Sequence, residues 1–263
     1  MRRLVPLLLL LGCARVREGA PPTLDDRTHD VYRVWEDDFA LAFAVDGLVA
    51  WMEENGRSEE AWDGLRLTNL TPDDVADVTV PGGADLADHV GIANAGPSVF
   101  PFDVHAAAVT EPDQIWTDPA SFEQYDRTII EGDANTFAGG ESYFRSDNDV
   151  LKKGVFGVRI PYQLRKDYKW VPLAEGPAVF VARHWIAVPG CSDNGKNCVH
   201  QTFGLDVFVE DGDETLRLLT NWLYVETQAD SLLSENARIA LIAQGNQDLI
   251  EKADEELARR AEE

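Results

Sequence analysis

Lysine is scarce in this chain of 263 residues. Six of its 23 basic residues are lysines, against 47 aspartates and glutamates, and the net charge is −24. So acidic a chain repels nucleic acid unless its charges are segregated, and no nucleic-acid partner is expected. The low-lysine surface suits a high-salt environment, or simple solubility. Cysteine occurs three times, at Cys13, Cys191 and Cys198. Even with His200 nearby, the Cys-x6-Cys-x-His trio is one ligand short for a zinc knuckle, and neither a metal nor a cofactor is expected. The apolar run Leu4–Leu11 is too short to span a bilayer of roughly 30 Å. No Ser-His-Asp, metal-binding or paired-carboxylate constellation stands out, so an enzymatic reading has no motif behind it and stays open only as a rival. What is present is 44% hydrophobic residues, enough for a globular core.

The first residues carry an address. Met1-Arg2-Arg3 is a positive n-region, Leu4–Leu11 an apolar h-region, and the run closes Leu10-Leu11-Gly12-Cys13. This resembles the bacterial lipobox. The resemblance implies a signal peptide over residues 1–12 and a lipid attached to Cys13, the new N-terminus, with the membrane as a partner. Ala14 after the cysteine implies the outer membrane rather than the inner. The protein is then a lipoprotein of the cell envelope, on a tether of residues 13–30 that carries Pro21-Pro22. In an oxidising compartment the remaining even pair, Cys191 and Cys198, reads as a disulfide.

Residues 31–263 read as a single globular domain. Apolar residues recur every three or four positions from Val31 to Met52, which predicts one helix with Asp46 inside its apolar run. Residues 55–140 are the hardest to read. Thr71 before Pro72 looks like a helix start, Asp85–Phe102 reads as a well-packed irregular segment, and Tyr125–Glu131 as a strand. His89 and His105 stand alone there, with polar structural roles expected. From residue 141 to 227 strands follow in succession. Ser231 onward is helical to about residue 260, with Ser234 as its cap and an apolar stripe from Ile239 to Leu257.

One hairpin organises the sheet. Asn194-Gly195 lies between two β-branched and aromatic runs. Centring the turn there sets Cys191 opposite Cys198, His184 opposite Leu205 and Arg183 opposite Asp206. Centring a second turn on Asp211-Gly212 pairs Asp206 with Arg217. One face then gathers Phe180, Ala182, His184 and Ile186 with Phe203, Leu205, Val207, Val209, Leu216 and Leu218. The other carries Arg183, Asp206 and Arg217 in a row.

The expected fold class is α+β: a curved antiparallel sheet with a long C-terminal helix packed on it and a helical or irregular N-terminal part. This element order resembles the START-like (polyketide cyclase and lipid-transfer) architecture, which implies an apolar cavity between sheet and last helix. The candidate pocket residues are Tyr143, Phe156, Tyr162, His184, Trp185 and Trp222. The expected function is binding of a hydrophobic small molecule or lipid without catalysis. A rival is an envelope scaffold whose basic island, Lys152, Lys153, Arg165, Lys166 and Lys169, is a docking face.

Overall fold

The computed structural model describes residues 21–81, 85–140, 143–153, 158–227 and 234–262. Residues 1–12, read from the sequence as a signal peptide, Cys13 and Phe156 lie outside them. Nine strands form one open antiparallel sheet: β1 (Leu65–Leu67), β2 (Val90–Ser98), β3 (Phe122–Gly132), β4 (Tyr143–Lys153), β5 (Arg159–Trp170), β6 (Val179–Val188), β7 (Gly190–Cys191), β8 (Cys198–Asp211) and β9 (Glu214–Glu226). Their order is β1-β2-β9-β8-β6-β5-β4-β3, with β7 beside β8. Helices α1 (Leu24–Arg33) and α2 (Asp38–Asn55) cover one face. The other face meets α4 (Phe102–Ala108), α5 (Ala134–Ala138) and the long α6 (Glu235–Ala261), while the short α3 (Glu59–Asp63) packs beside β2. No helix of the described residues is long and apolar enough to cross a membrane.

The N-terminal helix differs from its expected bounds. It begins at Leu24, inside the stretch read as tether, where Thr23 caps it by accepting from Asp26 N–H. Arg27 reaches across to the carbonyl of Gly47 and His29 to Asp74, so this stretch is folded. The single helix over Val31–Met52 is two helices, because the Asp37 carboxylate accepts from Phe39 and Ala40 N–H and starts α2 afresh. Asp46 lies buried within α2. Residues 72–77 are turns rather than a helix, with Thr71 donating its N–H and hydroxyl to Asp74.

The segment read as irregular contains β2, an interior strand. Its glycines hid it, since glycine has low strand propensity. Both make room for tryptophan. A Cβ on Gly91 would lie 2.7 Å from the Trp222 ring, and one on Gly96 2.7 Å from Trp62.

Cys191 and Cys198 face each other with Cα atoms 4.0 Å apart and form a disulfide. Six residues lie between them; Ser192 N–H donates to Asn197 C=O and closes a four-residue loop, Asp193 to Lys196, with Gly195 at φ 66°. Beyond the disulfide the expected register fails. Between the pairs Cys191↔Cys198 and Trp185↔Phe203, the first strand spends five residues and the second four. That extra residue is a bulge, and an odd slip turns every side chain of β6 over. Buried Gln201 repairs the gap: its Oε1 accepts from Ile186 N–H at 2.9 Å and from Thr202 N–H at 2.8 Å. Arg183 therefore sits opposite Leu205, and His184 opposite Gly204. The second turn is Gly212-Asp213, with Gly212 at φ 66°, a position that needs glycine in a two-residue hairpin loop. Its slip is even, two residues, so Val207 pairs with Leu218 and the faces of β8 and β9 stay in step.

The row Arg183–Asp206–Arg217 does not exist. Arg183 joins Phe203, Leu205, Val207 and Leu218 on the α1–α2 face, whereas Phe180, Ala182, His184 and Ile186 share the α6 face with Asp206 and Arg217.

Candidate functional site

Ser234 caps α6 by accepting from Ala237 N–H at 3.3 Å. The helix packs on the sheet with space beneath its central residues, Leu241 to Ala253. A cavity of about 470 Å³ lies there, bounded by β5, β6, β8, β9, α4, α6 and the turn Ile115–Thr117. Its walls are mostly apolar, with Leu164, Phe208, Leu219 and Leu223 from the sheet and Ile242 and Leu249 from the helix. Volume and lining fall in the range of small-molecule sites.

The cavity's polar groups converge on the sheet side. Lys166 from β5, His184 from β6, Thr202 and Asp206 from β8 and Asn221 from β9 all line it. Lys166 Nζ and His184 Nδ1 each stand 3.9 Å from Asp206 Oδ2. Burial, aided by the Lys166 ammonium, pushes His184 down to about 3, so its ring is neutral. Burial pushes the Asp206 carboxyl up to about 6 against the pull of Lys166. Burial also disfavours the Lys166 charge, but Tyr125, Tyr168 and Asp206 outweigh it and its pKa is raised. Thr202 Oγ1, His184 Nδ1, Arg217 Nε and Trp116 Nε1 are buried atoms of cavity-lining residues with no hydrogen-bond partner within the protein. Unpaired buried polar atoms are rare in folded proteins, and each marks a place where another molecule can complete the bonding.

Asp206 makes a prediction about pH. A carboxyl whose pKa is higher folded than unfolded holds its proton more tightly in the native state. It therefore destabilises the fold as pH rises through the window from about 4 to about 6. Urea unfolding of the wild type and Asp206→Asn is expected to show the wild type losing on the order of 1–3 kcal/mol relative to the variant between pH 4 and pH 7. A difference that stays constant over that range contradicts the assignment.

Of the pocket residues expected from sequence, Tyr162 and His184 line this cavity. Trp185 and Trp222 do not. The β6 slip turns Trp185 to the α1–α2 face beside Arg183, and Trp222 packs there against Tyr32 and donates to Thr68 C=O at 2.7 Å. Tyr143 borders a separate recess of about 500 Å³ with Trp35, Arg145 and Lys169, and its hydroxyl bonds Glu131. The charges of that recess are paired with one another, Arg145 to Asp167 and Lys169 to Asp38.

The basic island is not one face. Lys152 and Lys166 line the cavity. Arg165 is held on the opposite side of the sheet by Asp147, at 2.7 Å, and Lys169 by Asp38, at 3.0 Å. Lys153 donates to Pro119 C=O at 3.3 Å. Alternation along β4 and β5 separates them. Sequence reasoning missed Thr202, Asp206, Asn221 and Asn246 as cavity residues. The Asp206 and Asn221 faces follow from the β8–β9 hairpin, but which helix covers that face is not written in a strand.

No protein-family model matches the chain, and no curated protein matches it significantly. Solved structures to which it is similar include a STAR-related lipid transfer protein fragment from Xanthomonas axonopodis, 8% identical over 70% of this chain and 90% of that one, with a TM-score of 0.42. The Zhui aromatase/cyclase of a Streptomyces is 14% identical over 65% and 94%, with a TM-score of 0.39. Human STARD10 is 7% identical over 82% and 80%, with a TM-score of 0.42.

Proposed function

We propose that this protein binds one hydrophobic small molecule or lipid in the cavity beneath α6 and does so without catalysis. The carrying observation is the cavity itself, about 470 Å³ with apolar walls and a few convergent polar atoms that find no partner in the protein. His184 Nδ1 and Asp206 Oδ2 are 3.9 Å apart, longer than a hydrogen bond. His105, also on the lining, bonds Ser98 Oγ at 2.9 Å, but that hydroxyl donates to Asp254 at 2.8 Å and not to the histidine. These arrangements support binding over chemistry.

Titration with the neutral fluorophore N-phenyl-1-naphthylamine tests the reading. Saturation at one probe per chain, with a Kd on the order of 1 µM and displacement by long-chain lipids, is expected. A signal that rises without saturating, or that lipids leave unchanged, counts against it.

The Leu10-Leu11-Gly12-Cys13 run supports a further part of the proposal. A lipid on Cys13 holds the domain at a membrane of the cell envelope, the outer membrane by the Ala14 rule. Cells fed an alkyne-bearing palmitate are expected to label the wild type and not Cys13→Ser. Equal labelling of both refutes the anchor.

A further inference from the structure

The orientation of His184 is fixed from a distance. The Trp62 carbonyl can only accept. Asn94 Nδ2 donates to it at 2.8 Å, Asn246 Nδ2 donates to Asn94 Oδ1 at 3.0 Å, and Asn221 Nδ2 donates to Asn246 Oδ1 at 2.7 Å. Each amide has one donor end and one acceptor end, so the first bond sets the sense of all the others. Asn221 is left presenting Oδ1 to His184 Nε2 at 3.3 Å. An oxygen that only accepts requires a proton on Nε2. In the neutral ring Nδ1 is then a bare lone pair, buried and unpartnered at the cavity wall. The relay runs from α3 through β2, α6 and β9 to β6, and the last three of these also line the cavity. The ring lies flat on Gly204, where a Cβ would come within 2.0 Å of His184 Cε1.

Beside that lone pair stand Asp206 Oδ2, at 3.9 Å, and beyond it the Lys166 ammonium, 3.9 Å from the same oxygen. Both gaps are too long for direct hydrogen bonds and short enough for one oxygen atom to bridge. The lone pair thus faces another acceptor, Asp206, with the Lys166 ammonium on the same carboxylate oxygen. A hydroxyl fits: it brings the proton that His184 Nδ1 lacks. A carboxylate does not, because it brings only acceptors against a lone pair and an acid. Arg217 Nε does not serve the same atom. Arg217 lies four residues from Asn221 along β9, roughly 13 Å at the rise of a strand.

We propose that the cavity selects neutral hydrophobic molecules bearing a hydroxyl group, alcohols or phenols, over carboxylates of the same skeleton, with His184 Nδ1 accepting the hydroxyl proton. This rests on the binding reading above and adds the ligand's chemical class to it.

Displacement of N-phenyl-1-naphthylamine by 1-dodecanol, dodecyl methyl ether and dodecanoate tests it. The alcohol is expected to act at about tenfold lower concentration than the ether, the size of one buried hydrogen bond, and dodecanoate to be weaker than the alcohol. His184→Phe keeps the ring's bulk and removes the acceptor. It is expected to weaken dodecanol about tenfold and leave the ether unchanged. Nitrogen NMR of labelled wild-type protein gives a readout independent of any variant: the His184 Nδ1 resonance is expected to be that of a bare nitrogen and Nε2 that of a protonated one. A protonated Nδ1, a dodecanoate as strong as dodecanol, or an alcohol preference that survives in His184→Phe overturns the selectivity. Equal displacement by all three ligands overturns it while leaving hydrophobic binding intact. Displacement by none of them overturns both.

Discussion

Replacing Arg183 with methionine is expected to cost the fold ~3–5 kcal/mol, the usual result of breaking a buried ion pair by removing one partner. Arg183 is 0% exposed and Asp167 is 1% exposed. The guanidinium meets Asp167 at 3.1 Å, Asp77 at 2.7 Å and Glu36 at 3.0 Å, and its carbon lies 4.7 Å from the Trp35 ring centroid. Glu36 and Trp35 follow α1, Asp77 lies in the turns before β2, and Asp167 is on β5. One side chain thus ties the α1–α2 connection and the turns before β2 to the sheet, and β6 to β5. Its loss leaves acids clustered with only Arg145 between them. In a chain of this size the melting temperature is expected to fall on the order of 10 °C. Arg66→Met, which breaks the well-exposed pair with Glu235, is the control and is expected to shift stability by less than ~1 kcal/mol. Equal effects of the two substitutions on calorimetric melting contradict the role given to Arg183.

The same residue shows where the sequence stops being legible. The turn and the cysteine pair are readable because each is a local signal: Asn194-Gly195 tolerates the left-handed backbone, and the two cysteines bracket it symmetrically. The long-range pairing of Arg183 is not. One bulged residue between Trp185 and Cys191 decides whether Arg183 faces Asp206 or Asp167, and no propensity marks it. Gln201, buried and bonded to the backbone of Ile186, is the trace it leaves. A glutamine in a strand also serves on a solvent-facing side, so its presence alone does not announce a bulge. The cap Ser234, the apolar stripe and the end of the C-terminal helix can be read to within a residue, but the helix begins at Glu235, later than the expected Ser231. The break at Asp37 cannot be read, because the apolar period continues across it in Trp35 and Phe39. Phe39 itself ends up 88% exposed. For the cavity, its existence follows from the order of elements, but its lining depends on the parity of β6. That parity returns His184 to the cavity face while sending Trp185 away. The asparagines of the relay give no periodic signal at all, since hydrogen bonding across β2, α6 and β9 depends on tertiary distances.

Filling the cavity is the second large effect. A Cβ at Gly245, in the middle of α6 and on the cavity lining, would meet nothing within 4 Å. Gly245 is both on the lining and solvent-exposed, so Gly245→Trp places a large ring at the cavity's open edge while removing a helix-interior glycine that costs about 1 kcal/mol relative to alanine. The variant is expected to fold at least as stably as the wild type and to bind ligand more than about 100-fold more weakly, a loss of about 3 kcal/mol. Leu219→Trp, from the β9 wall opposite, is expected to give the same loss of binding. Preserved binding in both variants, with cooperative unfolding retained, places the site elsewhere.

Native mass spectrometry of the purified protein, equilibrated with 1-dodecanol, tests the central claim most directly. The account predicts a single bound molecule on the wild type and none on Gly245→Trp under the same conditions. A wild-type spectrum without adduct, or the same adduct on the Gly245→Trp variant, would contradict it.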